Sequence, residues 1–278
     1  MTQFFHTADG LRLAYDDTGS GTPLLCLAGL TRNMADFDPV VARFADRARI
    51  LRLDSRGRGQ SDRDPDHSHY SLVQEAADVL ALLDHLGLEK TAILGTSRGG
   101  LIAMVLAPHH GGRLLGVCFN DIGPVVDPRG MAHIMTHLGR RPHYAAYDEA
   151  AVAQQSAMAD SFPGVPLDQW RRHVRHLWRE TPTGLELRYD PRLRDAVEEQ
   201  AATGAAVDPW PLFDALAGVP LGLIRGANSD ILSLETVTEM RRRRPDLIFG
   251  EVPDRGHVPF LSEPEAETVI SDFLDRLT

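Results

Sequence analysis

Short apolar runs alternate with longer amphipathic segments along most of this chain. Runs with the length of buried strands lie at 24–27, 50–53, 91–94, 114–119, 221–226 and 247–252. Residues 70–86 carry apolar side chains at helical spacing, and Gly87 ends that predicted helix. Residues 4–7 and 11–16 have the pattern of an antiparallel strand pair at a sheet edge. This alternation predicts an α/β fold with a mostly parallel sheet, helices on both faces and sites at the carboxyl ends of the strands.

The periodicity changes between residues 128 and 211. This stretch is too long for a plain loop, and it contains three helical patterns separated by prolines. The patterns lie at 149–159, 167–180 and 195–202. We therefore expect one core built from residues 1–127 and 212–278, with residues 128–211 as a helical insertion.

The sequence Gly-Thr-Ser-Arg-Gly at 95–99 lies between the strand at 91–94 and a predicted helix at 100–107 that Pro108 should end. A strand that turns so sharply into a helix forces the central residue, Ser97, into backbone with positive φ. The hydroxyl then stands at a helix N-terminus, where free N–H groups favour developing negative charge. The motif therefore indicates a nucleophilic serine.

Two further residues could complete a catalytic triad with Ser97. Asp230 follows the strand at 221–226, and His257 follows the strand at 247–252. The chain order Ser, Asp, His is one of the known triad orders. Two alternatives stay open: Asp230 could merely cap the helix that begins near Ser233, and Asp121, after the strand at 114–119, could supply the acid instead.

The chain resembles the α/β-hydrolases over residues 1–125 and 212–278. The resemblance rests on the Ser97 motif, the Asp230 turn, the run Arg-Gly-His-Val-Pro-Phe-Leu-Ser-Glu-Pro at 255–264 and the loop Asp-Ser-Arg-Gly-Arg-Gly-Gln-Ser at 54–61. It implies an α/β-hydrolase fold with a mostly parallel eight-stranded sheet. It also implies that residues 128–211 form a helical cap, inserted after the sixth strand, that roofs the nucleophile.

The resemblance assigns a role to each site residue. Ser97 would be the nucleophile, His257 the general base, and Asp230 the acid that orients the imidazole. The oxyanion donors would be the backbone N–H groups of Arg98 and Leu30. Many relatives have His-Gly in the second donor loop, where this chain has Ala-Gly at 28–29.

The predicted cap contains large side chains that could line a substrate pocket. The candidates are Trp170, Trp178, Trp210, Met131, Met135 and Phe162. Such a lining would suit an apolar or aromatic acyl group. The cap is also rich in arginine and histidine, which would allow a carboxylate on the substrate. Arg98, beside the nucleophile, could contact substrate or hold the cap.

Composition excludes several classes of partner. The net charge of −10 argues against nucleic acid and anionic membranes as partners. Neither a secretory leader nor a membrane-spanning segment is expected from the pattern of apolar residues. Cys26 and Cys118 fall inside strand patterns, so buried free thiols in a cytoplasmic protein are expected.

His133 and His137 lie one helical turn apart without the glutamate of a zinc helix, and no dinucleotide fingerprint is present. We expect neither a metal nor a cofactor.

These features together predict a serine hydrolase that cleaves a small carboxylic ester or lactone through an acyl-enzyme. Two alternatives remain: a carbon–carbon bond hydrolase of ring-cleavage diketo acids, and a sensor that binds a small ligand on the same scaffold. Rapid ester turnover would distinguish the enzyme from the sensor. The expected partner is a small-molecule substrate.

Overall fold

The computed structural model describes residues 1–203 and 208–277 and is built around an eight-stranded sheet. The strand order across the sheet is β1-β2-β4-β3-β5-β6-β9-β10. β1 and β2 pair antiparallel at one edge, β2 and β4 pair antiparallel, and the remaining pairs are parallel. Within the described residues, the strands are β1 (Gln3–His6), β2 (Arg12–Thr18), β3 (Pro23–Leu27), β4 (Arg49–Leu53), β5 (Thr91–Thr96), β6 (Leu114–Asn120), β7 (Trp178–Thr181), β8 (Gly184–Leu187), β9 (Leu221–Gly226) and β10 (Ile248–Val252).

Helices cover both faces of the sheet, as the sequence pattern predicts. They are α1 (Asp38–Phe44), α2 (Leu72–His85), α3 (Arg98–His110), α4 (Pro128–His137), α5 (Tyr147–Ala157), α6 (Leu167–Leu177), α7 (Leu193–Thr203), α8 (Trp210–Asp214), α9 (Leu234–Arg243) and α10 (Pro264–Asp275). Side chains alternate across a strand, so Leu25 of β3 joins the core beneath α2, α3, α8 and α9. Its neighbour Cys26 joins the opposite core, beneath α1 and α10. A parallel sheet buried on both faces explains why its strands are continuous apolar runs.

Residues 128–211, here called the cap segment, lie between β6 and β9 and add no described strand to the large sheet. Their hairpin β7–β8 forms a separate two-stranded sheet, and α5 and α6 pack around Trp170 in a core of their own. The backbone also ties the cap segment to the core. The Asp190 N–H donates to the carbonyl of Gly57 at 2.7 Å, and the Gly59 N–H donates to that of Arg188 at 2.7 Å. The boundaries drawn from the sequence stay a prediction.

The structure corrects two local predictions. Pro108 does not end its helix, because α3 continues to His110. Pro108 lies in the last turn of α3, and the helix continues for only two residues beyond the position whose N–H is missing. The predicted helix at 167–180 ends at Leu177, and the chain enters β7 at Trp178.

The structure bears out the expectation for the thiols. Cys26 and Cys118 are both buried and free, and burial raises the pKa of each thiol well above its ordinary value. Among the helices within residues 1–203 and 208–277, none has the length and apolar character needed to cross a membrane.

Candidate active site

The turn between β5 and α3 places Ser97 at the carboxyl end of the sheet. Ser97 is the N-cap of α3 and has φ of +49°, the positive value that the motif predicts. Glycine is required on both sides. A Cβ on Gly99 would lie 2.1 Å from the carbonyl oxygen of Leu27, and one on Gly95 would lie 2.5 Å from the backbone nitrogen of Gly100. The close backbone approach therefore holds Ser97 in a strained and partly exposed position.

Ser97 and His257 lie within hydrogen-bond distance, and a buried carboxylate lies behind the imidazole. The Oγ of Ser97 is 2.9 Å from Nε2 of His257, and Nδ1 of His257 is 2.8 Å from Oδ2 of Asp121. An ionised carboxylate can only accept, so the imidazole must donate from Nδ1–H. Its Nε2 lone pair then faces the Ser97 hydroxyl, which is the arrangement that a general base needs.

Three donors surround the Asp121 carboxylate, which is fully buried. Its Oδ1 accepts from the backbone N–H of Gly226 at 2.8 Å, and its Oδ2 accepts from the hydroxyl of Ser229 at 2.7 Å as well as from His257. The backbone of Asp121 has φ of +55°, a conformation that aspartate tolerates better than most residues. Ser229 was not predicted from the sequence, although its position in the turn after β9 could have suggested it.

The prediction that Asp230 supplies the acid is wrong for this structure. Its carboxylate is 43% exposed and contacts the exposed side chain of His133, with Oδ2 3.3 Å from Nδ1. The turn after β9 brings the hydroxyl of Ser229, rather than the carboxylate of Asp230, toward Asp121. Asp121, the alternative left open by the sequence, is the acid that meets His257.

The two backbone groups predicted as oxyanion donors belong to elements that meet at Ser97. Arg98 is the first residue of α3, so its N–H has no partner inside the helix. The loop after β3 lies beside Ser97. A Cβ on Gly29 of that loop would be 3.7 Å from the Cβ of Ser97. Leu30 follows directly in that loop, and its donor role stays a prediction.

Two of the predicted pocket residues lie inside the cap segment's own core. Trp170 and Phe162 are 1% and 5% exposed, and their rings meet edge to face at 5.7 Å between centroids. Both rings also contact Phe260, three residues after His257. The burial of these two residues is therefore explained by the packing of the cap segment onto the loop that carries His257 and Phe260.

Two more pocket candidates, Trp178 and Trp210, each pack against another aromatic ring. Trp178 lies 5.5 Å from the ring of Tyr144 within the cap segment. Trp210 meets Phe213 edge to face at 6.0 Å and packs with the main core. Their aromatic character is therefore explained by packing, and a role in binding stays a prediction.

The methionine candidates lie on α4. Met135 is partly buried and packs against the apolar cluster that also receives Leu30 of the predicted oxyanion loop. Met131 is partly buried one turn earlier. Met135 is thus the pocket candidate that shares a packing cluster with the donor loop.

The side chain of Arg98 lies in a buried ion pair with Glu75. It is nearly buried, and its guanidinium donates to both carboxylate oxygens of Glu75 on α2 and to the carbonyl of Tyr70. The Tyr70 carbonyl also accepts from Nε2 of Gln200 in the cap segment, at 3.1 Å. The suggestion that Arg98 contacts substrate or holds the cap stays a prediction.

His173 of α6 is packed against aromatic rings where the cap segment meets the core. Its ring lies 5.4 Å from that of Trp170 and 5.6 Å from that of Phe260, and the guanidinium of Arg32 is a nearby cation. Desolvation is the main cause that lowers the pKa of His173 to about 3, and Arg32 adds to it. The folded chain therefore resists a proton that the unfolded chain accepts below about pH 6.5.

Acidification should therefore destabilise the fold through His173. Between about pH 6.5 and pH 5 the unfolded state takes up the proton first, and the loss should approach about 2 kcal/mol. Unfolding of wild type and His173→Gln, followed at pH 7.5 and pH 5, measures this loss. We expect the variant to lose less stability than wild type, while the exposed control His143→Gln behaves as wild type. Equal acid sensitivity in all three proteins would contradict the assignment.

One cluster of potential metal ligands occurs among the described residues. Oxygen and nitrogen atoms of Asp9, Asp64 and His69 lie within 4.8 Å of one another. The Nη1 of Arg56 donates to both carboxylates, at 3.0 Å to Asp9 and 2.5 Å to Asp64. Both carboxylates are thus partners of Arg56, and we interpret the cluster as part of an ion-pair network.

The chain belongs to the α/β-hydrolase fold family, whose profile matches residues 22–264. Among curated proteins, it is 34% identical over 273 residues to the 3-hydroxybutyrate-oligomer hydrolase of Cupriavidus necator, covering 94% of this chain and 92% of that protein. It is 25% identical over 260 residues to the 2-(acetamidomethylene)succinate hydrolase of Mesorhizobium japonicum, covering 93% and 90%.

The solved structures agree on the fold. A crystal structure of an α/β-hydrolase from Novosphingobium aromaticivorans superposes with a TM-score of 0.93 at 37% identity, covering 99% of this chain and 98% of that one. The family and its named relatives place this chain among the hydrolases.

Proposed function

We propose that this protein is a serine hydrolase that cleaves a small carboxylic ester or lactone through an acyl-enzyme. The observation that carries the proposal is the hydrogen-bonded chain from Ser97 through His257 to Asp121, at 2.9 and 2.8 Å. Its three side chains follow β5, β6 and β10, whose carboxyl ends lie at one edge of the sheet. Such a chain converts a weak nucleophile, the serine hydroxyl, into one that attacks a carbonyl near neutral pH.

Acylation would begin when Oγ of Ser97 attacks the ester carbonyl while its proton passes to Nε2 of His257. Asp121 would stabilise the imidazolium through Nδ1–H without taking the proton. The carbonyl oxygen becomes an oxyanion, which the N–H groups of Arg98 and Leu30 would bind. Collapse of this intermediate breaks the ester C–O bond, and the proton on His257 passes to the leaving alcohol.

Deacylation would repeat these steps with water. Nε2 of His257 takes a proton from the water, whose oxygen attacks the acyl carbon. The same N–H groups bind the second oxyanion, and the proton returns to Oγ of Ser97 as the acid leaves. We place the cap segment over this site, as the sequence predicts, where it would restrict the acyl groups that enter.

The relatives suggest which ester to test first. The relative from C. necator is named for oligomers of 3-hydroxybutyrate, which are linear esters that end in a carboxylate. The alignment covers nearly the whole of both chains, so the cap segment is included. We infer that short hydroxyalkanoate oligoesters are the first candidate substrates.

A substrate panel tests this proposal. Wild type and Ser97→Ala are incubated with the dimer and trimer of 3-hydroxybutyrate, 4-nitrophenyl butyrate, a butyrolactone and a ring-cleavage diketo acid, and the products are identified by mass. We expect an ester or the lactone to be hydrolysed by wild type at about 1 per second or faster. Turnover of the diketo acid alone would replace the proposal with carbon–carbon hydrolysis. Binding without turnover of any compound would support the sensor instead.

A further inference from the structure

Three buried charged side chains form a cluster, and one of them belongs to Arg98, the residue that follows Ser97. Glu75 of α2 accepts from Nη1 of Arg58 at 2.9 Å and from Nη2 of Arg98 at 2.9 Å. All three residues are at most 9% exposed. Two guanidinium groups share one carboxylate, so the three side chains together carry one net positive charge. Burying such a charge is costly, which indicates that the cluster serves something beyond stability.

Arg58 connects this cluster to the loop that carries one proposed oxyanion donor. Its Nε donates to the carbonyl oxygen of Leu30 at 2.9 Å. The carbonyl and the N–H of Leu30 belong to the two peptide planes that flank the same Cα. A fixed carbonyl therefore restricts the direction in which the N–H of Leu30 points.

Arg98 connects the cluster to the other proposed donor, because the donor is its own backbone N–H. Its side chain makes a two-point contact with Glu75, with Nε at 3.0 Å from Oε2 and Nη2 at 2.9 Å from Oε1. Such forked pairs fix orientation as well as distance. Although burial alone would raise it, the two guanidinium groups hold the pKa of Glu75 below its ordinary value, so the carboxylate stays charged.

We propose that Glu75 is a positioning residue that, through Arg58 and Arg98, holds the two oxyanion donors at a fixed separation. Nη2 of Arg58 makes no hydrogen bond within residues 1–203 and 208–277, so the described bonds that hold this guanidinium are those to Glu75 and to the carbonyls of Leu30 and Arg56. This inference rests on the proposed function. Arg58 lies in the loop at 54–61 and makes no described hydrogen bond to Ser97 or His257. This loop would therefore affect catalysis indirectly, through the position of the oxyanion donors.

The same helix offers a matched control. Asp78, one turn after Glu75, is also buried and forms a two-point ion pair, with Nε and Nη2 of Arg56 at 2.7 and 2.6 Å. The partners of the Arg56 side chain are carboxylates, and the donor loop is not among them. Asp78→Asn therefore disturbs a comparable ion pair without touching the oxyanion donors.

The test compares Glu75→Gln, Arg58→Met and Asp78→Asn with wild type. Arg58→Met leaves one carboxylate paired with one guanidinium, so this variant keeps the test valid if Glu75→Gln does not fold. For each protein, unfolding, kcat, KM and the inhibition constant of a trifluoromethyl ketone are measured on the best ester. The rate of fluorophosphonate labelling at Ser97 is measured as well, since it does not depend on the natural substrate.

We expect Glu75→Gln and Arg58→Met to lower kcat by about 30-fold with KM nearly unchanged, a smaller loss than removal of a donor itself. Ketone affinity and labelling rate should fall in parallel, whereas Asp78→Asn should lose stability but keep kcat within about threefold of wild type. If folded Glu75→Gln and Arg58→Met match Asp78→Asn in kcat and in labelling rate, the positioning role of Glu75 is overturned, while the proposed function stands. A wild type that neither labels nor hydrolyses an ester would overturn the proposed function itself.

Discussion

Replacing Asp121 by asparagine should lower kcat by about 10⁴-fold, whereas Asp230→Asn should leave it within about threefold of wild type. With its oxygen facing the N–H of Gly226, the new amide would present N–H₂ to Nδ1 of His257, which favours the imidazole tautomer that cannot accept the Ser97 proton. The side chain of Asp230 is 43% exposed and contacts His133 rather than the triad, so its loss changes neither the tautomer nor the charge beside the imidazole. For Asp121→Asn and Asp230→Asn, kcat and KM are measured on the same ester.

Stability must be followed in the same experiment, because Asp121 is fully buried. The N–H of Gly226 can still donate to the amide oxygen in the place of Oδ1, and the amide N–H₂ in the place of Oδ2 can donate to the hydroxyl of Ser229. We therefore expect Asp121→Asn to fold. Wild-type activity in Asp121→Asn together with its loss in Asp230→Asn would restore the acid that the sequence favoured. The kcat of Ser229→Ala should lie between those of Asp121→Asn and Asp230→Asn, since this substitution removes one of the three donors to the Asp121 carboxylate.

The sequence could not choose between the two acids, because their strands are neighbours. β6 and β9 pair in parallel, with Asn120 opposite Ile224, so the residues after both strands emerge at one edge. Each aspartate follows its strand closely enough to reach His257 in principle. What decides between them is the path of the turn after β9, which brings the hydroxyl of Ser229 to Asp121 at 2.7 Å. That path depends on contacts between distant segments.

The features that sequence predicted well are those fixed by local chemistry. The positive φ of Ser97 follows from the sharp turn that Gly95 and Gly99 allow. The short continuous apolar runs fit strands of a sheet buried on both faces. The Ser97–His257 contact joins residues 160 positions apart, yet the family resemblance was enough to predict it.

The features that sequence did not predict depend on which surfaces meet. The hairpin β7–β8 replaces the end of a predicted helix, because Trp178 packs on Tyr144 and pairs across the hairpin with Leu187. The aromatic residues of the cap segment were correctly identified as apolar, but periodicity cannot tell a residue that lines a pocket from one that packs in a core. The bridge of Glu75 to two arginines likewise joins segments that no pattern relates.

Replacing Ser97 by alanine should lower kcat by about 10⁶-fold and abolish fluorophosphonate labelling, while the protein stays folded. The hydroxyl is the atom that becomes acylated, and neither His257 nor Asp121 can replace it as a nucleophile without rebuilding the site. Alanine keeps the Cβ, so it keeps the same strain at φ of +49°. Ser97→Gly removes that strain and should raise the free energy of unfolding by about 1 kcal/mol with the same loss of activity. Activity and stability should thus change independently at this position.

Intact-mass labelling with a fluorophosphonate measures this prediction directly. Wild type and the exposed control Ser156→Ala should each gain one adduct at the same rate. Ser97→Ala should gain none, and His257→Ala should react far more slowly, because Oγ of Ser97 then loses the acceptor that lies 2.9 Å away. An adduct on Ser97→Ala would place the nucleophile elsewhere. Labelling of His257→Ala at the wild-type rate would show that the imidazole does not activate Ser97.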